Sequence, residues 1–254
     1  MSLPFITAVV PVLILLFFIY KKDKFQPEPL GKLVWTFFVG CFSVIPAVLM
    51  ETGLMQLSPG IPVLDELFTG YVVAGFSEEL CKLMLLYWVI WKSPCFDEYF
   101  DGIVYAAFLS LGFACVENIG YVLQSDDTMS VALMRGLLAV PAHFLFAVTM
   151  GYYFSLAKFD PAHRRSHMRN ALLFPVLLHG TYDAVLMVTN SLAGNGDQSE
   201  MVNVLVAGAL TIFFIVFDVM MWRWGIRRIK RMQERSKEQN FDRMNPFDGF
   251  NWHI

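Results

Sequence analysis

Nine ionisable side chains interrupt the apolar stretches of this sequence: Glu78, Glu79, Lys82, Glu117, Arg135, His143, His179, Asp183 and Asp218. At mid-membrane depth each costs about 2.5–3.5 kcal/mol on insertion scales, so each needs a role. Ser77-Glu78-Glu79-Leu80-Cys81-Lys82 is the densest group. On a helix the two carboxylates point about 100° apart, and Lys82 falls angularly between them one turn further on. Two carboxylates sharing one ammonium in a low dielectric are expected to titrate apart, as general acid–base chemistry requires. The plain alternative is a buried, self-neutralising ion pair with one spare proton.

The other groups sit on four further stretches. Glu117 and Tyr121 are one turn apart, and Asn118 lies between them. Pro141 precedes His143, and a proline inside a helix frees a carbonyl and bends the axis, which suits a cavity beside the imidazole. His179 and Asp183 are spaced so that the carboxylate can orient the ring, with Gly180 leaving room for a neighbour. A lone buried histidine is ordinarily a satisfied core residue; the surrounding carboxylates argue for chemistry here. Arg135 and Asp218 lie near the ends of their stretches, where snorkelling or capping explains them as well as function does. Gly102, Ala106, Ser110 and Ala114 form a stripe of small residues suited to close helix packing.

The elements that must carry these groups follow from composition. The chain has 254 residues, 56% of them apolar and 16% charged, with a mean hydropathy of +0.53. A soluble domain carries roughly 45–50% apolar and 25% charged residues, so this is an integral membrane protein. The net charge of −3 gives no basic field for nucleic acid. The expected architecture is an all-α, polytopic bundle of about seven spans, at 3–20, 31–50, 67–91, 102–123, 132–158, 171–191 and 202–224. The short polar breaks leave one domain, 1–224, and a basic cytoplasmic tail, 225–254. Without a basic stretch ahead of it, the first segment reads as a permanent anchor. The four cysteines form no C-x-x-C pair and suit packing.

Orientation follows from the basic residues. Of the 19 Lys and Arg, 17 fall in one set of loops and the tail, and none in the opposite loops; the N-terminus is therefore expected outside and the C-terminus inside. A reporter fused after Met232 should read as cytoplasmic, and an extracytoplasmic reading overturns this topology. In that arrangement the buried carboxylates and histidines share one depth, in the middle to outer half of the bilayer.

Common protease signatures are absent. No H-E-x-x-H occurs, and Gly75-Phe76-Ser77-Glu78 lacks the closing glycine of a serine elbow. Tyr182-Asp183 and Gly194-Asn195-Gly196-Asp197 spell an aspartyl intramembrane protease pair. Asp197, however, lies in a polar loop too far along the same hairpin to meet Asp183.

In order along the chain, the motifs resemble the PrsW-type intramembrane proteases, distant relatives of the CAAX prenyl protease superfamily. Pro11 with the KKDKFQPEP stretch is similar to the family's N-terminal segment. Ser77-Glu78-Glu79 with Lys82 resembles its first motif, and Asp101-Gly102-Ile103-Val104-Tyr105 through Glu117-Asn118 and Tyr121 its second. Arg135, Pro141, His143 and Gly151-Tyr152 resemble the third, and His179-Gly180 with Asp183 the fourth. Ala106 and Ala107 stand where a glycine is common. The resemblance covers residues 1–190. It implies a membrane endopeptidase of the bacterial cytoplasmic membrane that cleaves a single-span, anti-sigma-factor-like protein. The family has been classed both as metallopeptidase and as glutamic-type.

The expected catalytic set is Glu78, Glu79, Glu117, His143, His179 and Asp183, supported by Lys82, Asn118, Tyr121 and Arg135. No cofactor is favoured; zinc, if used, would take His143, His179, Glu117 and Asp183. Two rival functions fit the same buried charges: a proton- or ion-coupled transporter, against which the missing internal repeat counts, and a non-catalytic membrane adaptor.

Overall fold

A computed structural model describes residues 2–194 and 200–244. The Asn195–Asp197 part of the aspartyl-type motif and the tail beyond Met244 lie outside the described residues. Every described element is helical: α1 (Ser2–Lys22), α2 (Leu30–Met55), α3 (Leu64–Phe68), α4 (Ser77–Ile90), α5 (Asp101–Gln124), α6 (Thr128–Met134), α7 (Val140–Phe159), α8 (Arg164–Gly194) and α9 (Glu200–Met244). A π-helical segment, Thr69–Phe76, joins α3 to α4, and another, Arg135–Ala139, joins α6 to α7.

Six helical rods are long and apolar enough to cross a membrane. The seventh expected span is the continuous rod made by α3, the first π segment and α4. It is long enough, but the charges at its centre hold it outside those six. The chain is thus a multi-pass membrane protein. Its surface agrees: Phe42, Leu49, Trp88 and Leu137 are each at least 68% exposed, which is stable facing lipid and not facing water.

Burial ranks the helices. In α5, 78% of the apolar stretch is buried, against 11% in α9 and 17% in α1; α5 is the hub and the other two are peripheral. Small residues let helices approach α5. A Cβ on Gly151 would collide with the Gly102 carbonyl where α7 crosses, and one on Gly112 would collide with the Phe37 carbonyl of α2. Ser110 Oγ donates to the His143 carbonyl at 3.1 Å. Two members of the small-residue stripe, Gly102 and Ser110, therefore face α7, and the second fixes the backbone of a site histidine.

The boundary expected at 224 falls inside an unbroken helix. At 45 residues, α9 is roughly 68 Å long, about twice the hydrocarbon thickness. Its basic half packs back on the bundle: Arg228 donates to Thr149 Oγ1 at 2.9 Å, Arg231 to the Tyr152 hydroxyl at 3.2 Å, and Ser236 Oγ accepts from the Phe100 N–H at 2.9 Å.

Candidate active site

The two π segments sit immediately before the residues of interest. A π turn holds an extra residue and changes the phase of the helix that follows, and such turns recur at functional sites. Thr69–Phe76 leads into Ser77-Glu78-Glu79. Arg135–Ala139 leads into Pro141 and His143, so the backbone widens where the proline leaves a carbonyl without its usual donor.

Between these helices lies a cavity of about 720 Å³. Glu78, Glu117, Tyr121, Arg135, His143, His179 and Asp183 all line it, within a mostly apolar wall that includes Val48, Phe113 and Phe146. Glu79, Lys82 and Asn118 are fully buried behind it. The sequence places Glu78 and Glu79 together; only the fold decides which of the two meets the cavity.

One ammonium organises the centre. Lys82 Nζ donates to Glu78 Oε2 at 2.9 Å, to Glu79 Oε1 at 2.8 Å and to His143 Nδ1 at 3.2 Å. All three N–H groups are used, and the charge also lies 4.0 Å from the centre of the Phe113 ring. Because His143 Nδ1 accepts, the ring carries its proton on Nε2, which donates to Glu117 Oε2 at 2.8 Å. The same Glu117 oxygen accepts from Arg135 at 2.9 Å. Arg135 Nε donates to Asn118 Oδ1 at 3.1 Å, its guanidinium stacks on Tyr121 at 3.7 Å, and Asn118 Nδ2 donates to the Ala8 carbonyl of α1 at 2.9 Å.

On the other flank, His179 lies between two carboxylates. Nδ1 donates to Glu79 Oε1 at 3.0 Å and Nε2 to Asp183 Oδ2 at 3.1 Å. A ring with a carboxylate on both nitrogens donates from both, as an imidazolium. Phe146 stacks on it, and the His143 ring centre is 5.2 Å away. The result is one continuous polar chain, Asn118–Arg135–Glu117–His143–Lys82–Glu78/Glu79–His179–Asp183, through low-dielectric surroundings that strengthen each link.

All ten expected residues belong to this assembly, in differing roles. Arg135 does not snorkel; it holds Glu117. Asn118 faces α1 and Arg135, away from the cavity. Asp218 lies on α9 and does not line the cavity. Sequence reasoning missed Glu51, which lines the cavity from the end of α2. It stands where an apolar run gives way to a polar break, and so looks like a loop residue.

The site also has the chemistry of a metal centre. Glu78, Glu79, His143 and His179 each offer a donor atom within 4.8 Å of the others, and the buried Glu79 Oε2 has no partner. This differs from the zinc set expected from sequence: His143 and His179 are shared, whereas Glu117 and Asp183 sit on the outer Nε2 atoms. A carboxylate on the outer nitrogen of a ligating histidine is the usual supporting arrangement, so the donor set fits a metal.

A family profile described as "PrsW family intramembrane metalloprotease" matches residues 28–220. The protein named "Protease PrsW" from Clostridioides difficile (strain 630) is 33% identical over 93% of this chain and 94% of its own. The one from Bacillus subtilis (strain 168) is 31% identical over 91% and 96%, and the one from Geobacillus kaustophilus (strain HTA426) is 38% identical over 70% and 77%. No solved structure matches significantly. A peptidase working inside the bilayer must bury its catalytic polar groups on its helices, and the family match, over residues 28–220, runs through every helix that buries carboxylates and imidazoles at this site; the chain belongs to the PrsW family of intramembrane proteases.

Proposed function

We propose that this protease hydrolyses a peptide bond of a single-span, membrane-anchored protein, of the anti-sigma-factor kind by family resemblance, with Glu78 activating water. The observation that carries this reading is that Glu78 alone of the carboxylate pair lines the cavity, together with Glu117, His143, His179 and Asp183. Glu78 takes a proton from water as the water oxygen attacks the scissile carbonyl carbon. His179, an imidazolium held between Glu79 and Asp183, stabilises the developing oxyanion through its positive charge. The proton on Glu78 then passes to the amine nitrogen as the C–N bond breaks. Glu79 and Lys82 do not touch substrate; they hold Glu78, His143 and His179 in place and are positioning residues. Glu117 fixes the tautomer of His143.

The family description names a metallopeptidase, and Glu78, Glu79, His143 and His179 are the residues that would hold zinc. Bound there, zinc would polarise the carbonyl and acidify a bound water. The position of Lys82 supports the metal-free reading. Its ammonium lies 2.8–3.2 Å from three of those four side chains, giving them the positive charge a dication would otherwise supply.

The test is cleavage of candidate single-span proteins by purified enzyme in nanodiscs. Activity should survive extended dialysis against a strong chelator, with far less than one zinc per chain. Activity lost on chelation and restored by zinc alone would move the four residues into ligand roles.

A further inference from the structure

At the other end of α5, roughly 24 Å from Glu117 along the helix, a second group of carboxylates is buried. Asp23 and Glu28 come from the connection between α1 and α2, Asp97 and Glu98 from the connection before α5, and Asp101 from its first turn. Asp23 and Glu28 are 5% exposed, and Glu98 and Asp101 are fully buried. Among the described residues, no Lys or Arg pairs with any of these four. Arg243 reaches only Asp97, at 3.3 Å on the exposed side.

The hydrogen bonding is incomplete in a consistent way. Asp23 Oδ2 accepts from the Glu28 N–H at 2.9 Å, Asp101 Oδ2 from the N–H groups of Asp97 and Glu98 at 2.9 and 2.7 Å, and Glu98 Oε2 from Asn240 Nδ2 at 2.7 Å. The second oxygen of each, Asp23 Oδ1, Asp101 Oδ1 and Glu98 Oε1, is buried without a partner. Backbone and α9 thus orient three carboxylates and leave one oxygen of each unsatisfied, a costly state for a packed interior. Asp23, Glu98 and Asp101 each contribute an oxygen to a group spanning no more than 4.8 Å, and Glu28, Asp97 and Asp101 form an overlapping group. Opposite ligands of a six-coordinate ion lie roughly 4.2 Å apart for magnesium and 4.6–5.2 Å for calcium.

We infer that Asp23, Glu98 and Asp101, with Glu28 and Asp97 beside them, form a second site that binds a hard divalent cation, magnesium or calcium. All-oxygen donors select such ions over zinc. An ion there would neutralise buried carboxylates that pair with no Lys or Arg among the described residues. It also ties both connections to the head of α5 and, through Asn240, to α9.

The experiment uses full-length protein in nanodiscs, stripped with chelator and titrated with Mn²⁺ by electron paramagnetic resonance. One bound Mn²⁺ per chain is expected, displaced by millimolar Mg²⁺ or Ca²⁺. A His143→Ala/His179→Ala variant should keep it, which separates it from the active site. A Glu98→Gln/Asp101→Asn variant should weaken it at least tenfold. If that variant does not fold, the wild-type thermal midpoint decides: millimolar Mg²⁺ or Ca²⁺ at constant ionic strength should raise it by several degrees. The proposal falls if wild type holds no displaceable Mn²⁺, if the histidine variant loses it, if the carboxylate variant binds it as wild type does, or if neither ion moves that midpoint.

Discussion

Glu78→Gln should reduce peptide-bond cleavage by at least about 10³-fold while the protein still inserts and folds, because the amide keeps the shape and removes the base. Glu79→Gln, His143→Ala and His179→Ala should also abolish cleavage, for other reasons. Glu79 anchors both Lys82 Nζ and His179 Nδ1. His143 links Lys82 to Glu117, and His179 is the imidazolium facing the cavity. Single-turnover cleavage of a single-span protein, with membrane insertion checked in parallel, measures all four. Turnover at the wild-type rate in any two variants would break the assignment and favour a non-catalytic adaptor. Ion flux in proteoliposomes without cleavage would favour a transporter.

The second large effect is expected at Lys82. Its ammonium satisfies three partners at once and is fully buried. Removing one partner of a buried ion pair typically costs about 3–5 kcal/mol, because the stranded charge is what destabilises. Lys82→Met should therefore lower the thermal midpoint sharply or prevent accumulation in the membrane. Adding Glu79→Gln removes one stranded charge, so the double variant should recover much of the stability and none of the activity. A thermal melt of wild type, both single variants and the double closes the cycle. A Lys82→Met protein as stable as wild type would mean that the three hydrogen bonds contribute little.

The parts of this fold legible from sequence share one property: a contrast between a polar group and its apolar neighbours. The runs at 102–123 and 132–158 lie within Asp101–Gln124 and Thr128–Phe159. Glu78, His143 and Asp183 stood out because nothing near them in sequence explained a charge at that depth. Where the contrast vanishes, so does legibility. Asp23, Glu28, Glu98 and Asp101 belong to polar connections, which look solvated whether or not the chain folds over them. Glu51 closes a span and looks like the start of a break. The 225–244 stretch is rich in Arg and Lys and has a tail's composition, although Arg228 and Arg231 are bonded to α7 and Arg243 to Asp97. Arg135 is ambiguous in sequence, fitting snorkelling and function alike, because its partner, Glu117, is distant in sequence and near only once α5 packs against the Arg135–Ala139 segment.

The π segment Thr69–Phe76 has a consequence for how mutations at the site should behave. Each residue advances a helix by about 100°, so the number of residues before Glu78 sets which of Glu78 and Glu79 looks into the cavity. Shortening the segment by one residue would turn both carboxylates by about 100°, so that Glu79 points where Glu78 now does and Glu78 points where Ser77 now does, while leaving every chemical group present. The site is therefore keyed to a count as well as to a composition: conservative substitutions within Thr69–Phe76 leave the aim of the carboxylates intact, whereas a one-residue gap misdirects them.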